Sequence, residues 1–436
     1  MKYYSTNGKA PIADLHKAVV KGLAEDRGLY MPEHIKQLPK EFFDTIETKS
    51  FQEIAYTVAD AFFGEDVEAE ALKKIVYDTL AFDCPVVKVE DNIYSLELFH
   101  GPTLAFKDVG ARFMARLLQY FIRSNQNTQN NLVNVLVATS GDTGSAVANG
   151  FLGVDGIHVY VLYPKGKVSP IQECQFTTLG KNITAIEVDG VFDDCQALVK
   201  NAFMDAELNA HMKLTSANSI NVARFLPQAF YYFNAYARIK ALGKADNLVI
   251  CVPSGNFGNI CAALFGHEMG LPVKRFIAAN NANDIFYKYL QTGKYEPKPT
   301  IPTLANAMDV GDPSNFARIY DLYGKSHERI SALISGATYS DDQIRETMRQ
   351  CHQDTGYILD PHGACGYRPL KEGLKDGEVG VFCETAHPAK FKEKVDDILG
   401  IDVEIPERLA AFMKGQKQSV EMTKDFQDFK RYLMSR

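Results

Sequence analysis

From about residue 99 onward, short apolar runs alternate with segments whose apolar side chains recur at helical spacing. Buried strands are expected at 133–138, 157–163, 183–188 and 213–215, and helices at 109–121, 145–151, 172–179 and 192–203. A long amphipathic helix is expected at 223–242, with its aromatic stripe from Phe225 to Phe233 read as packing. Further strands follow at 248–252, 273–278 and 379–383, the last two separated by a mainly helical insertion at about 280–357 near the mouth of a cleft. This rhythm predicts α/β architecture, with parallel sheets covered by helices on both faces. Ahead of it, helical patterns at 11–21, 42–58 and 70–79 and a hairpin about Asp91-Asn92 suggest a small helix-rich domain. The tail, 394–436, is charged and largely helical. The expected division is 1–95, a smaller α/β unit at 96–230, and a large α/β unit at 231–436. Two such units should place ligands where strand ends face each other across a crevice.

A chain of 436 residues, 46% of them hydrophobic, can bury more than one core. Its net charge of -7 is spread without a basic block, so electrostatics give no support for nucleic-acid or membrane-surface partners. The first residues lack the apolar core of a signal peptide, and no apolar stretch is long enough to span a bilayer. Eight scattered cysteines without a C-x-x-C pair are best read as reduced thiols, which points to the cytoplasm. Cys351, His352, His362 and Cys365 share one window, but their spacing matches no structural zinc pattern.

Several segments carry chemistry, three of them foremost. Lys107 follows the turn Gly101-Pro102-Thr103 and Phe106, and two glycine-rich corners lie downstream, Ser140-Gly141-Asp142-Thr143-Gly144 and Ser254-Gly255-Asn256-Phe257-Gly258-Asn259. Each corner follows an apolar strand and opens a helix, so backbone amides and the helix positive end converge on one point. Neither matches the dinucleotide or nucleoside-triphosphate glycine patterns. The Gly255 to Asn259 corner has no cationic side chain, which suits a cofactor phosphate held by amides. Ser140 and Thr143 suit a substrate carboxylate, while Asp142 should turn away from that anion, share a proton or cap a helix. Lys165-Gly166-Lys167-Val168-Ser169 is a compact cationic loop suited to a second phosphate. Asn221 and Arg224 lie near a helix start, from which Arg224 could present a bidentate fork. Thr385, in Glu384-Thr385-Ala386-His387-Pro388, could meet a cofactor ring nitrogen. His387 is either a proton carrier or a helix-start residue. A lysine that forms a Schiff base beside two anion cradles points to pyridoxal phosphate.

Together with Tyr4-Ser5-Thr6 and Gly28-Leu29-Tyr30-Met31-Pro32, these motifs resemble the threonine synthase family of long bacterial and fungal type, over almost the whole chain. That family belongs to the pyridoxal-phosphate enzymes with the fold of the tryptophan synthase β subunit, called fold type II. The resemblance implies two open α/β units flanking a cleft, with Lys107 bonded to the cofactor aldehyde. It implies that Gly255, Asn256, Phe257, Gly258 and Asn259 hold the cofactor phosphate and that Thr385 contacts the ring nitrogen. The implied reaction converts O-phospho-L-homoserine and water to L-threonine and phosphate. A monomer is the expected state and a homodimer the alternative. Two rivals stay open: a dehydratase or β-replacement enzyme on the same scaffold, and a non-catalytic phospholigand-binding protein.

Overall fold

The computed structural model describes residues 1–124 and 132–436. The chain forms two compact units. One comprises Met31–Phe106 and Phe225–Glu404 together with Met1, and the other Lys2–Tyr30, Lys107–Arg224 and Ile405–Arg436.

The first unit is built on a six-stranded sheet in the order Ile334–Thr338, Arg275–Asn280, Leu248–Pro253, Val379–Glu384, Ile93–Glu97, Val86–Glu90. All neighbours are parallel except the final hairpin. Leu248–Pro253 and Val379–Glu384 are buried at every position, which explains why they read as continuous apolar runs. Successive strands run outward from Leu248–Pro253 on one side, and Val379–Glu384 returns on the other, so the strand order reverses between these two.

The second unit holds an all-parallel sheet of five strands, ordered Val420–Thr423, Ile183–Asp189, Ile157–Pro164, Val133–Ala138, Lys213–Ser216. Here the order reverses at Val133–Ala138. In open parallel sheets such reversals leave a crevice outside the strand carboxyl ends.

Several expectations are corrected. The segment 223–242 is not one amphipathic helix. It is Val222–Phe225, a 3-10 turn Leu226–Gln228 and the helix Ala229–Ala241, because Pro227 cannot continue the helical bonds. Residues 229–237 are buried on all sides, and Phe233 packs against Phe42 and Phe43. The helices Phe51–Phe63 and Ala69–Thr79 therefore share the first unit's core. The helix Leu15–Lys21 instead joins the second unit, where Asn221 Nδ2 (2.9 Å) and Thr215 Oγ1 (3.3 Å) donate to the Val19 carbonyl. Residues 1–95 thus do not close a core of their own. The tail is divided: 394–404 stay in the first unit, while from Ile405 it belongs to the second, where Val420–Thr423 extends the sheet and Phe429 and Leu433 enter the core. The insertion contributes an edge strand, Ile334–Thr338, besides its helices.

The helix Lys107–Ser124 starts two residues earlier than expected, so Lys107 is its first residue. Two glycines seat this helix. Gly150, on the helix Asp142–Phe151, lets that helix approach the Ala111 and Arg112 backbone, and Gly110 lies against Arg224. A methyl group on Gly110 would stand 2.3 Å from the Arg224 carbonyl oxygen and 2.6 Å from its Nη1. Gly110→Ala is expected to destabilise the protein by about 1–3 kcal/mol, measured by urea unfolding.

Candidate active site

The parallel register brings three of the predicted substrate segments to one edge of the second unit. The strands Ile157–Pro164, Val133–Ala138 and Lys213–Ser216 are neighbours, and Lys165 to Ser169, Ser140 to Thr143 and Ala217 to Asn221 follow their carboxyl ends. Thr139 folds the middle corner: its Oγ1 accepts from Gly141 N–H (2.9 Å) and Gly144 N–H (2.8 Å). Ser140 and Thr143 are half-buried. Asp142 is buried at the helix start, where its Oδ1 accepts from Gln172 Nε2 at 3.1 Å. Gly141, with φ 144°, has no room for a side chain because Gln172 lies 2.5 Å from the position of its Cβ.

The remaining second-unit candidates have different surroundings. Lys167 is exposed on the loop, while the Ser169 hydroxyl caps the helix Pro170–Thr177 in a capping box with Gln172. Asn221 is buried, and its amide bonds Val19, Ser216 and Ala223 backbone groups. Arg224 is buried as well. It is 2% exposed, with Nε donating to the Ala217 carbonyl (2.6 Å) and Nη1 to the Lys107 carbonyl (3.4 Å). A buried guanidinium needs acceptors, and here these carbonyls provide them. Arg224 thereby ties the start of the lysine helix to the segment after Lys213–Ser216.

In the first unit the two predicted cofactor anchors sit at the ends of adjacent parallel strands, paired at Cys251 and Phe382. Ser254 to Asn259 turns directly into the helix Gly258–Glu268. Phe257 has φ 67°, a left-handed conformation that non-glycine residues rarely hold, and it is pinned by Phe286 at 4.7 Å between ring centroids. Asn259 maintains the corner itself: Nδ2 donates to the Pro253 carbonyl, and Oδ1 accepts from the Ser254 hydroxyl and Ile260 N–H. Asn315 N–H holds the Asn256 carbonyl at 3.1 Å. Asn256 Oδ1 is buried without a hydrogen-bond partner.

Thr385 follows Val379–Glu384 and is buried. Its carbonyl accepts from Phe106 N–H at 2.8 Å, and Ala105 bridges Ala386. Lys107 is the next residue along the chain. It is half-buried, and Leu104, three residues earlier, is also left-handed, with φ 61°. His387 caps a short helical turn, its Nδ1 accepting from Ala389 N–H at 3.0 Å. Burial and His100 lower its pKa to about 4. The helix-start reading of His387 fits these bonds better than the proton-carrier one.

The residues present fit pyridoxal phosphate. Gly255 leaves no space for a Cβ, Asn256 Oδ1 lacks a partner, and a strained Phe257 aims the amides of a helix start past the strand ends. A half-buried lysine immediately follows the segment bonded to Thr385. Sequence reasoning missed Thr139, Gln172 and Asn315, which shape the corners. Of these, Thr139 was readable as a hydroxyl two residues before a turn glycine.

Fold and site together define a pyridoxal-phosphate-dependent enzyme of fold type II. Residues 79–383 match the model of the pyridoxal-phosphate dependent enzyme family, 2–80 that of the threonine synthase N terminus, and 363–433 that of the threonine synthase C-terminal region. The chain is 45% identical to threonine synthase of Haemophilus influenzae over 436 residues, covering 100% of both. The crystal structure of Escherichia coli threonine synthase superposes with a TM-score of 0.94 at 42% identity, covering 100% of each chain. PLP-bound threonine synthase from Brucella melitensis gives 0.91 at 34% identity, covering 100% of this chain and 99% of that one. The chain belongs to the threonine synthase family.

Proposed function

We propose that this chain converts O-phospho-L-homoserine and water to L-threonine and phosphate. The observation that carries the reading is the pair of strand-order reversals, each with a helix-opening corner at its carboxyl end, in a chain whose Lys107 begins the connecting helix. When bound, pyridoxal phosphate supplies an aldehyde that links covalently to an amine and a ring that accepts an electron pair. Lys107 provides the amine that holds the aldehyde. Displaced by the substrate amine, it takes the Cα proton and later returns to release product. Gly255 to Asn259 hold the cofactor phosphate by amides, and Asn256 Oδ1 orients a donor at the same corner. Thr385 meets the ring nitrogen with a hydroxyl, which does not keep that nitrogen protonated as a carboxylate would.

Ser140 and Thr143 bind the substrate carboxylate, with Asp142 and Gln172 fixing the corner. Lys167, beside the cap of Ser169, receives the γ-phosphate as the Cγ–O bond breaks. A proton leaves Cβ as that bond breaks; Cγ then gains a proton, water adds its hydroxyl at Cβ and gives up its other proton, and a proton returns to Cα before release. Asn221 and Arg224 act indirectly, through the backbone they hold. Free cysteines, all buried except Cys174, suit a reducing cytoplasm. Among the described residues no helix is long and apolar enough to cross a membrane.

The deciding assay incubates the holoenzyme with O-phospho-L-homoserine and quantifies both products. Equal threonine and phosphate support the reading. A 2-oxo acid with ammonia from threonine or serine, and no threonine formed, would establish a dehydratase instead. Lys167→Ala should raise KM for phosphohomoserine about ten-fold while changing serine-analogue binding little, as expected for loss of one charge-assisted contact.

A further inference from the structure

Glu384 ends the strand that leads into Thr385, and its carboxyl group is fully buried. Neither of its oxygens has a hydrogen-bond partner of ordinary geometry, and the Asp360 backbone N–H, the one donor that faces the carboxyl, counts for less than burial and the Asp360 carboxyl. The carboxyl lies against Gly363, where a methyl group would come within 2.0 Å of Glu384 Oε2. Gly363 is in the first turn of the helix Pro361–Gly373, whose N-cap is Asp360, and the group Glu384 meets there is the Asp360 carboxyl. Asp360 already accepts from His362 N–H (3.2 Å), Gly363 N–H (2.8 Å) and His362 Nδ1 (2.5 Å). His362 Nε2 accepts from Ala307 N–H at 3.1 Å, so the ring proton sits on Nδ1. The Ala307 carbonyl completes the series, 2.9 Å from where a Cβ on Gly255 would be.

Two carboxylates facing each other away from water are stable only if one carries a proton. Asp360 has three donors and the positive end of a helix, so the proton belongs to Glu384. Burial and the Asp360 charge push Glu384 well above the ordinary carboxyl range. Burial would raise Asp360 too, but His362 and the N–H donors outweigh it and hold that group low. Glu97, on the neighbouring strand, also faces the pair and accepts from the Tyr357 hydroxyl (2.7 Å) and His100 Nε2 (2.9 Å). Its negative charge again favours a neutral Glu384. His387, held uncharged down to about pH 4 by its own burial, adds no opposing cation.

We propose that Glu384 is a positioning residue, a neutral carboxylic acid whose proton bridges to Asp360, and that the string Glu384, Asp360, His362, Ala307 fixes the spacing of Thr385 and Gly255. Those two residues hold opposite ends of one rigid cofactor, so their separation must be set by the protein before binding. The inference rests on the seating of pyridoxal phosphate at Gly255 and Thr385 proposed above.

The test titrates full-length apoprotein with pyridoxal phosphate by absorbance, comparing wild type with E384Q, E384M and T385V. It adds infrared difference spectra of wild type against E384Q. Because glutamine keeps a neutral donor, E384Q should bind within about three-fold of wild type, whereas E384M should bind at least about ten-fold more weakly and shift the cofactor band. The infrared difference should show a protonated-carboxyl stretch that persists from about pH 6 to about pH 9. Absence of that band, or wild-type affinity in E384M, overturns the proposal. Should E384M not fold, the band and the E384Q affinity decide. An unchanged T385V with the band present overturns the seating at Thr385, and the positioning role with it, while leaving the buried proton established.

Discussion

Lys107→Ala is expected to lower turnover of O-phospho-L-homoserine by about 10³- to 10⁴-fold and to abolish borohydride labelling of the lysine peptide. One amine carries two tasks in the proposed reaction, holding the aldehyde and moving the Cα proton. No compensation by a mobile neighbour is expected, because the position is set by rigid contacts. Lys107 opens a helix whose start is tied down by Arg224 at its carbonyl and by the close approach of Gly110 to the Arg224 backbone. Lys107→Arg gives the control. It keeps a cation in place but is not deprotonated near neutral pH, so it should fall as far as alanine. Mass spectrometry of the reduced, digested holoenzyme should find the cofactor on the peptide containing Lys107 and nowhere else. A label on another lysine, or a near-native rate in the alanine variant, would refute the assignment.

The parts of this protein that were readable in the sequence are those where one local rule dominates. Strands buried on both faces, such as Val133–Ala138 and Leu248–Pro253, appear as unbroken apolar runs, and the helix-opening corners after them appear as small residues between strand and helix. Once the strands of each sheet are placed in parallel, the turns that follow neighbouring strands must lie along one edge of that sheet, so each group of candidate residues emerges from the topology of its own unit. The edge strands Ile334–Thr338 and Val420–Thr423 escaped because each is short, only partly buried and free of an apolar run. The long helix failed at Pro227, whose effect outweighed the surrounding helical spacing. Arg224 shows another limit: its position near a helix start was readable, but which acceptors its guanidinium reaches depends on how Ala217 and Lys107 fold back toward it. The contact of Glu384 with Asp360 lies deeper still. It joins a strand end to a helix cap and leaves no periodic trace.

Gly255→Val is expected to weaken pyridoxal-phosphate binding by about 10²-fold while leaving the apoprotein folded. The argument is steric. A Cβ at this position would lie 2.9 Å from the Ala307 carbonyl oxygen and 3.0 Å from the Met308 Cα, both backbone atoms that cannot rotate away. Valine adds two further methyl groups, so either the corner or the segment around Ala307 must shift. Shifting the corner is the easier course, since the Ala307 N–H is fastened to His362 and Met308 bonds back to Ala305. Moving it displaces the Asn256 and Phe257 amides from the helix-start geometry, and misplacement of about 1 Å is enough for a loss of that size. Two measurements check this: the absorbance titration of apoprotein with the cofactor, and the rise in Tm the cofactor produces. Wild type should gain stability on loading, and Gly255→Val should lose most of that gain at the same ligand concentration. Pyridoxal, which lacks the phosphate, should bind both proteins with similar affinity, because the corner acts on the phosphate alone. An equal loss for the two ligands would mean that the substitution disturbs the ring seat as well, and that the corner does not hold the phosphate independently.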